Sequence, residues 1–294
     1  MGIRGLTRWI AWATPTSIQL PTWEDFAGKR VGIDMLGLLY KSKAQSRDPI
    51  AYLATFLAAC KKYSIIPIPV FDGKPPESKR KTIATRGATS SRRPPLYLTS
   101  EERDLAKQLC YACGIMPLNA AGEADDVLAY FAKSGYVQAV ISNDMDLLAR
   151  GVETLIVPEG YTLPGDPAGW KQYTLSHILK SVHLLYGQFV EMCVLMGSDY
   201  TADEMSLPYK IAYWSIKYRG IFPTLHWMGV KDIVPYAKAY GILIGISESP
   251  AQLMGEKQWE KIKSGAAVEC ESLEKFRKSH LSCISDNDFE VLML

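Results

Sequence analysis

The sequence predicts an α/β fold: a central, mostly parallel sheet with helices on both faces, plus a helical C-terminal region. Three observations predict it. Strand-like and helix-periodic segments alternate through residue 157, the pattern of a parallel sheet with crossover helices. Residues 174 to 294 read as mainly helical. Acidic residues recur just past the ends of successive strands, where open α/β sheets bind their ligands.

The elements follow in order. Val31 to Asp34 (VGID) is a short buried strand after the turn residues Gly28 and Lys29. Ile50 to Tyr63 places Leu53, Phe56, Leu57 and Cys60 at helical spacing. Ile65 to Phe71 is a second apolar strand ending at Asp72, although Pro67 and Pro69 each remove a ladder donor. Gly73 to Ser100, with two Pro-Pro pairs and Ser, Thr and Arg runs, is a basic excursion from the core. Glu101 to Cys113 returns to helix, and Ile115 to Asn119 is a short strand. Glu123 to Lys133 is a helix opening with acids, which its dipole favours. Val137 to Ser142 and Glu153 to Val157 are two further strands.

The chain of 294 residues is long enough to bury a sizeable core, and 48% hydrophobic with 22% charged residues is an ordinary globular composition. No apolar run reaches bilayer-spanning length, so no membrane partner is expected. Arg4 and Arg8 are followed by no clean apolar stretch, which argues against a secretory signal; Leu6 stands where a myristoylation signal needs Ser or Thr. Of six cysteines only Cys110 and Cys113 are close, with no second pair at zinc spacing. Reduced, mostly buried thiols in an intracellular protein, nuclear or cytoplasmic, are expected. The net charge of +2 is uneven: Lys74, Lys79, Arg80, Lys81, Arg86, Arg92 and Arg93 crowd a stretch with Glu77 as its only acid.

The acids at the strand ends carry the chemistry. Asp34 and Asp72 end the first two strands; Glu123, Asp125 and Asp126 open the helix after the third; Asp144 and Asp146 follow the fourth. Asp199, after the helix GQFVEMCVLMG, could reach the same edge. Taken singly, Asp144 is a cap or turn residue and Asp125 and Asp126 an exposed first-turn pair. Taken together, so many like charges repel unless cations lie between them. An all-carboxylate site without His suits Mg²⁺ or Mn²⁺ rather than zinc. Two such ions about 4 Å apart can hold an attacking water and a leaving oxygen in line across a phosphate.

These segments resemble the flap-endonuclease family of 5′-nucleases. MGIRGL resembles its opening, VGIDMLGLLYK its first metal-site strand with Asp34, and VFDGKPPESKRK the second with Asp72. GEADDVLAYFAKSG carries its Glu-Ala-Asp motif at Glu123 and Asp125, VQAVISNDMDLLARG its Asp-x-Asp motif at Asp144 and Asp146, and VLMGSDY its last acid, Asp199. Asp126 is a possible additional acid.

The resemblance implies a PIN-like 5′-nuclease core over residues 1–200, with a basic arch-like insertion at about 73–112, and a helical duplex-binding region over 201–294. It implies that Lys79 and Arg86 contact the scissile phosphate, with Arg80 and Lys81 as competitors for that role. Seven residues, two helical turns, separate Lys79 from Arg86. It implies that Tyr40 stacks on a nucleobase, where a core tyrosine is the alternative, and that Gly2 packs by the active site. Lys74, Arg92, Arg93, Lys210, Lys217 and Arg219 are further candidates for nucleic-acid contact.

Three departures stand out. Only 50 residues separate Asp72 from Glu123, short for the arch and cap around a threaded 5′ strand. TADEMSLPYKIAYWSIKYRG lacks the glycines with which the family's helix–two-turn–helix grips duplex DNA and a potassium ion. The chain ends at FEVLML, with no long basic tail and no obvious sliding-clamp peptide. So compact a form would suit a virus or another reduced genome. The expected activity is metal-dependent cutting of branched, flapped or gapped duplex DNA in replication, repair or recombination. An RNA-cutting nuclease of the same fold and a catalytically inactive nucleic-acid-binding module are the alternatives.

Overall fold

The computed structural model describes residues 2–45, 47–74, 98–158, 169–201, 204–245, 248–265, 273–280 and 286–293. Among them one sheet of seven strands runs through the molecule: β1 (Ile18–Gln19), β2 (Arg30–Asp34), β3 (Ile66–Phe71), β4 (Leu118–Asn119), β5 (Ala139–Ile141), β6 (Thr154–Pro158) and β7 (Trp170–Thr174). Their spatial order is β1-β7-β6-β5-β2-β3-β4. The five strands from β6 to β4 are parallel, while β7 and β1 join antiparallel at one edge. From β2 the chain steps outward through β3 to β4, then returns to the other side of β2 for β5 and β6. The sheet therefore reverses its winding between β2 and β5, and the crevice beyond their carboxyl ends is where such sheets bind ligands.

The prolines of β3 fit because β4 reaches only Val70 and Phe71. Pro67 and Pro69 pair in register with Val31 and Ile33 of β2, on a stretch whose other side has no partner strand among the described residues. The antiparallel strands β1 and β7 are outside the sequence prediction. In β7 (WKQYT) only Trp170 and Tyr173 are buried, an apolar signal too sparse to stand out.

Alternate residues of each strand feed two cores. Val140 and Leu155 face one; Ala139, Ile141 and Ile156 face the other. The first core takes in the helices Leu6–Ala13, Ala124–Lys133 and Tyr186–Met196. The second takes in Pro49–Lys62, started by Asp48 accepting from the Ile50 and Ala51 N–H groups, and Ser100–Ala112, started by a Thr99/Glu102 capping box. Ala106, Leu109 and Cys110 of the latter helix are buried in that core, so residues 100–112 of the expected arch-like insertion belong to the core; residues 75–97 lie outside the described residues.

The helical region after residue 200 shares both cores. Tyr213, Tyr236, Leu243 and Leu253 join the first. Phe276, Phe289 and Leu292 return to the second, where Lys61 Nζ donates to the Leu292 carbonyl at 2.8 Å. Among the described residues no single helix is long and apolar enough to cross a membrane.

Candidate metal centre

Asp34, the last residue of β2, caps the Met35–Ala44 helix by accepting from the Gly37 N–H at 2.9 Å. Its other carboxylate oxygen accepts from the Ser142 hydroxyl at 2.8 Å, just past β5. Ser142 also receives the Asp144 N–H at 3.0 Å, so one hydroxyl ties the two strand ends across the switch point. Burial pushes the Asp34 carboxyl up to about 6, and the nearby charges of Asp72 and Asp144 push in the same direction against the Gly37 and Ser142 hydrogen bonds. Three of the expected acids thus feel one another's charge.

Asp72, past β3, accepts from the Ala124 N–H at 2.6 Å at the start of the Ala124–Lys133 helix. That bond draws the end of β3 to the segment bearing Glu123, the helix's N-cap residue. Asp144 accepts from the Asp146 N–H at 3.0 Å and is half-buried; Asp146 is buried. Gly2 completes this side. Its φ of +100° suits glycine, and a β-carbon there would overlap both Asp144 Oδ1 and Asp146 Oδ1. The two oxygens therefore flank one point, and the chain's beginning is packed against them.

Glu123, Asp125 and Asp126 divide their roles around Arg150, which the sequence reading missed. Arg150 is fully buried, pairs with Asp126 and donates to the Tyr200 hydroxyl at 2.6 Å. The Tyr200 hydroxyl in turn donates to Glu123 at 3.3 Å, and Glu123 lies 3.7 Å from Arg150. Burial opposes the Arg150 charge, but Tyr200, Asp126 and Asp125 outweigh it and hold the guanidinium protonated. Asp126 is therefore committed to Arg150 rather than presented as an additional acid at the edge. Its signal was a base four residues after Asp146 at the end of a wholly apolar run, Leu147 to Ala149. Asp199 starts the turn Asp199–Thr201 beside Tyr200, and the carbonyl of nearby Gly197 accepts from the Arg4 N–H at 2.9 Å. The N-terminal segment and the last acid's segment are thereby joined.

The remaining candidates scatter. Tyr40 is half-buried and packs against the second core. Lys74 is exposed, just past Asp72. Lys79, Arg80, Lys81, Arg86, Arg92 and Arg93 lie outside the described residues. Lys210 and Arg219 are exposed on and beside the Tyr209–Tyr218 helix. Lys217 instead donates to the Val182 carbonyl at 3.2 Å and the Tyr213 hydroxyl at 2.8 Å, which turns it inward.

Whether a cation suits this edge depends on its donors. They are carboxylate oxygens, the ligands of Mg²⁺ and Mn²⁺. The upward push on Asp34 comes first from burial, and the like charges of Asp72 and Asp144 add to it, an environment in which a cation would favour the ionised carboxylate. As placed, no three of the described His, Cys, Asp or Glu side chains meet in a ready-made coordination shell, so the fit rests on donor chemistry and the shared edge. On that ground the residues fit a divalent cation, with Asp34, Asp72, Glu123, Asp125, Asp144, Asp146 and Asp199 as candidate holders.

Fold and edge define an α/β core of the PIN-like type, with acids gathered at the carboxyl ends of a parallel sheet. The XPG N-terminal domain matches residues 1–93 and the XPG I-region residues 114–199, between them more than half of the chain. The chain belongs to the XPG and flap-endonuclease family, whose members are metal-dependent nucleases. It is 31% identical over 209 residues to the probable flap endonuclease 1 homolog of Danio rerio, covering 68% of this chain and 58% of that protein. It is 29% identical over 256 residues to flap endonuclease 1 of Brugia malayi, covering 74% and 66%. The chain thus spans less than two thirds of the length of these relatives. Its fold matches the catalytic core of Rad2 in complex with DNA substrate, at a TM-score of 0.72 and 18% identity over 99% of each chain.

Proposed function

We propose that this protein is a structure-specific 5′-nuclease that hydrolyses phosphodiester bonds in branched, flapped or gapped DNA, in replication, repair or recombination. The observation that carries the reading is the link from Asp34 through Ser142 to Asp144, with Asp72 pressing on the same carboxyl. It gathers acids from three strand ends at the switch point.

Asp34, Asp72, Glu123, Asp125, Asp144, Asp146 and Asp199 would hold two Mg²⁺ ions, with Mn²⁺ as a substitute. Bound there, the ions would supply a water acidic enough to ionise near neutral pH and charge to offset the phosphoryl oxygens. The protein's own part is orientation. Gly37 and Ser142 fix the Asp34 carboxylate, Ala124 fixes Asp72, and Gly2 leaves room for Asp144 and Asp146. Lys79 and Arg86 would neutralise the phosphate on the substrate side. Contacts to phosphate would make binding salt-sensitive and independent of sequence. Work on DNA would place the protein in the nucleus or cytoplasm.

The test is a panel of flapped, nicked, gapped, double-stranded and single-stranded DNA and RNA, incubated in Mg²⁺. Cutting near the junction of a DNA flap is expected. Preference for RNA would move the substrate while keeping the site. Binding in EDTA with no cutting of any substrate in Mg²⁺ or Mn²⁺ would sink the enzyme reading.

A further inference from the structure

The Tyr209–Tyr218 helix buries Ala212, Tyr213 and Ile216 against the first core. Trp214 and Tyr218, four residues apart and so on one helical face, point elsewhere. They are 44% and 74% exposed, and their rings lie nearly parallel, at 10°, with centroids 5.6 Å apart. The run of rings continues through Tyr213, 4.8 Å from Trp214, to Trp12 of the Leu6–Ala13 helix at 6.0 Å. Trp12 is itself 40% exposed. Three large rings thus meet solvent, Trp214 and Tyr218 stacked together and Trp12 joined to them through the buried ring of Tyr213.

The exposed charge on this surface has one sign. Lys210 Nζ lies 5.1 Å from the Trp12 ring. Exposed Arg219 follows Tyr218 directly. No Asp or Glu occurs from Met205 to Lys231, between the flanking acids Glu204 and Asp232. An occupant must therefore be anionic and offer flat apolar faces. An unpaired nucleic-acid strand does both: its phosphates meet cations and its bases stack on rings. A duplex hides its base faces and could use only the cations.

We propose that Trp12, Trp214 and Tyr218, flanked by Lys210 and Arg219, form a stacking platform for unpaired nucleotides, apart from the acidic edge. The proposal rests on the nuclease reading only in taking nucleic acid as the ligand. On the platform, a single-stranded arm of a branched substrate is held by its bases while the duplex is cut elsewhere.

The experiment uses the full chain in EDTA, so that cleavage is not needed. Fluorescence anisotropy compares a labelled oligo(dT) single strand with a blunt duplex, for wild type, Trp214→Ala/Tyr218→Ala and Trp214→Phe/Tyr218→Phe. The double-alanine protein is expected to bind the single strand at least about tenfold more weakly, while its duplex affinity changes little. The double-phenylalanine protein, which keeps both rings, is expected to retain most of the single-strand affinity. Should the double-alanine protein melt abnormally, Tyr218→Ala alone, at the most exposed ring, is read instead. Unchanged single-strand affinity in a folded alanine variant overturns the proposal. So does wild type that binds anionic lipid vesicles but no oligonucleotide. Wild type that binds the single strand through these rings yet cuts nothing in Mg²⁺ keeps the platform and rejects the nuclease.

Discussion

Arg150 and Asp126 form an ion pair directly behind the acidic edge, with the arginine fully buried. Tyr200 and Glu123 close the group around the guanidinium, so one buried cation organises two acids and the turn that bears Asp199. Arg150→Met would leave Asp126 and Glu123 without their counter-charge. A loss of about 3 kcal/mol is expected in urea unfolding, at the low end for a broken buried pair because Asp126 is partly exposed. Arg150→Lys should not restore it, since a lysine cannot reach Asp126 and Tyr200 together. A change below about 1 kcal/mol for Arg150→Met would contradict this role.

Ser142 holds Asp34 and the Asp144 backbone at once. Ser142→Ala is expected to cost about 1 kcal/mol of stability. It should also raise the Mg²⁺ concentration for half-maximal cleavage roughly tenfold, as losses behind metal ligands do. A Mg²⁺ titration of the initial rate reads it, and an unchanged midpoint would argue that the hydroxyl is only structural.

Gly2→Ala puts a methyl group into Asp144 and Asp146 and forces alanine to a φ of +100°. The segment must move, and the two carboxylates with it. Turnover should fall by roughly two orders of magnitude, a scale that small misplacements reach. Because Gly2 lies outside the helices and strands, thermal unfolding should shift by only a few degrees, on the order of 1 kcal/mol. A large melting loss with normal turnover per folded molecule would reverse the assignment.

The Asp34 carboxyl is raised from 3.8 to about 6 by burial, helped by Asp72 and Asp144. Between those values the native protein keeps a proton that the unfolded chain has released. Stability contributed by this group is therefore present at low pH and lost as pH rises through about 6. In EDTA, the melting temperature of wild type minus that of Asp34→Asn should fall across this window. Added Mg²⁺ should recover it above pH 6 or so, because the cation binds the charged form. A difference that climbs with pH in EDTA would show that burial and its acidic neighbours do not raise the Asp34 carboxyl.

The five parallel strands were legible because Val31 to Asp34, Ile65 to Phe71 and their successors are apolar runs ending at turn residues or acids. The acidic edge was legible for the same reason: strand ends can be read, and a parallel sheet sends them to one side. Arg150 was not, because its partners Asp126 and Tyr200 lie 24 and 50 residues away and its one local mark, the apolar run Leu147 to Ala149 before it, does not name them. The antiparallel strands β1 and β7 were missed because Ile18–Gln19 is two residues long and Trp170–Thr174 is half polar. Tyr40 shows the limit of motif reading, since the same position that suggests a stacking ring also packs on the second core.

The most direct test of the acidic edge as a metal-dependent cutting site is cleavage of a labelled 5′-flap duplex in Mg²⁺ by wild type and Asp146→Asn, beside an EDTA control. Cutting near the junction by wild type alone, abolished by EDTA, is expected. Cutting by Asp146→Asn at the wild-type rate, or by wild type in EDTA, would contradict the account.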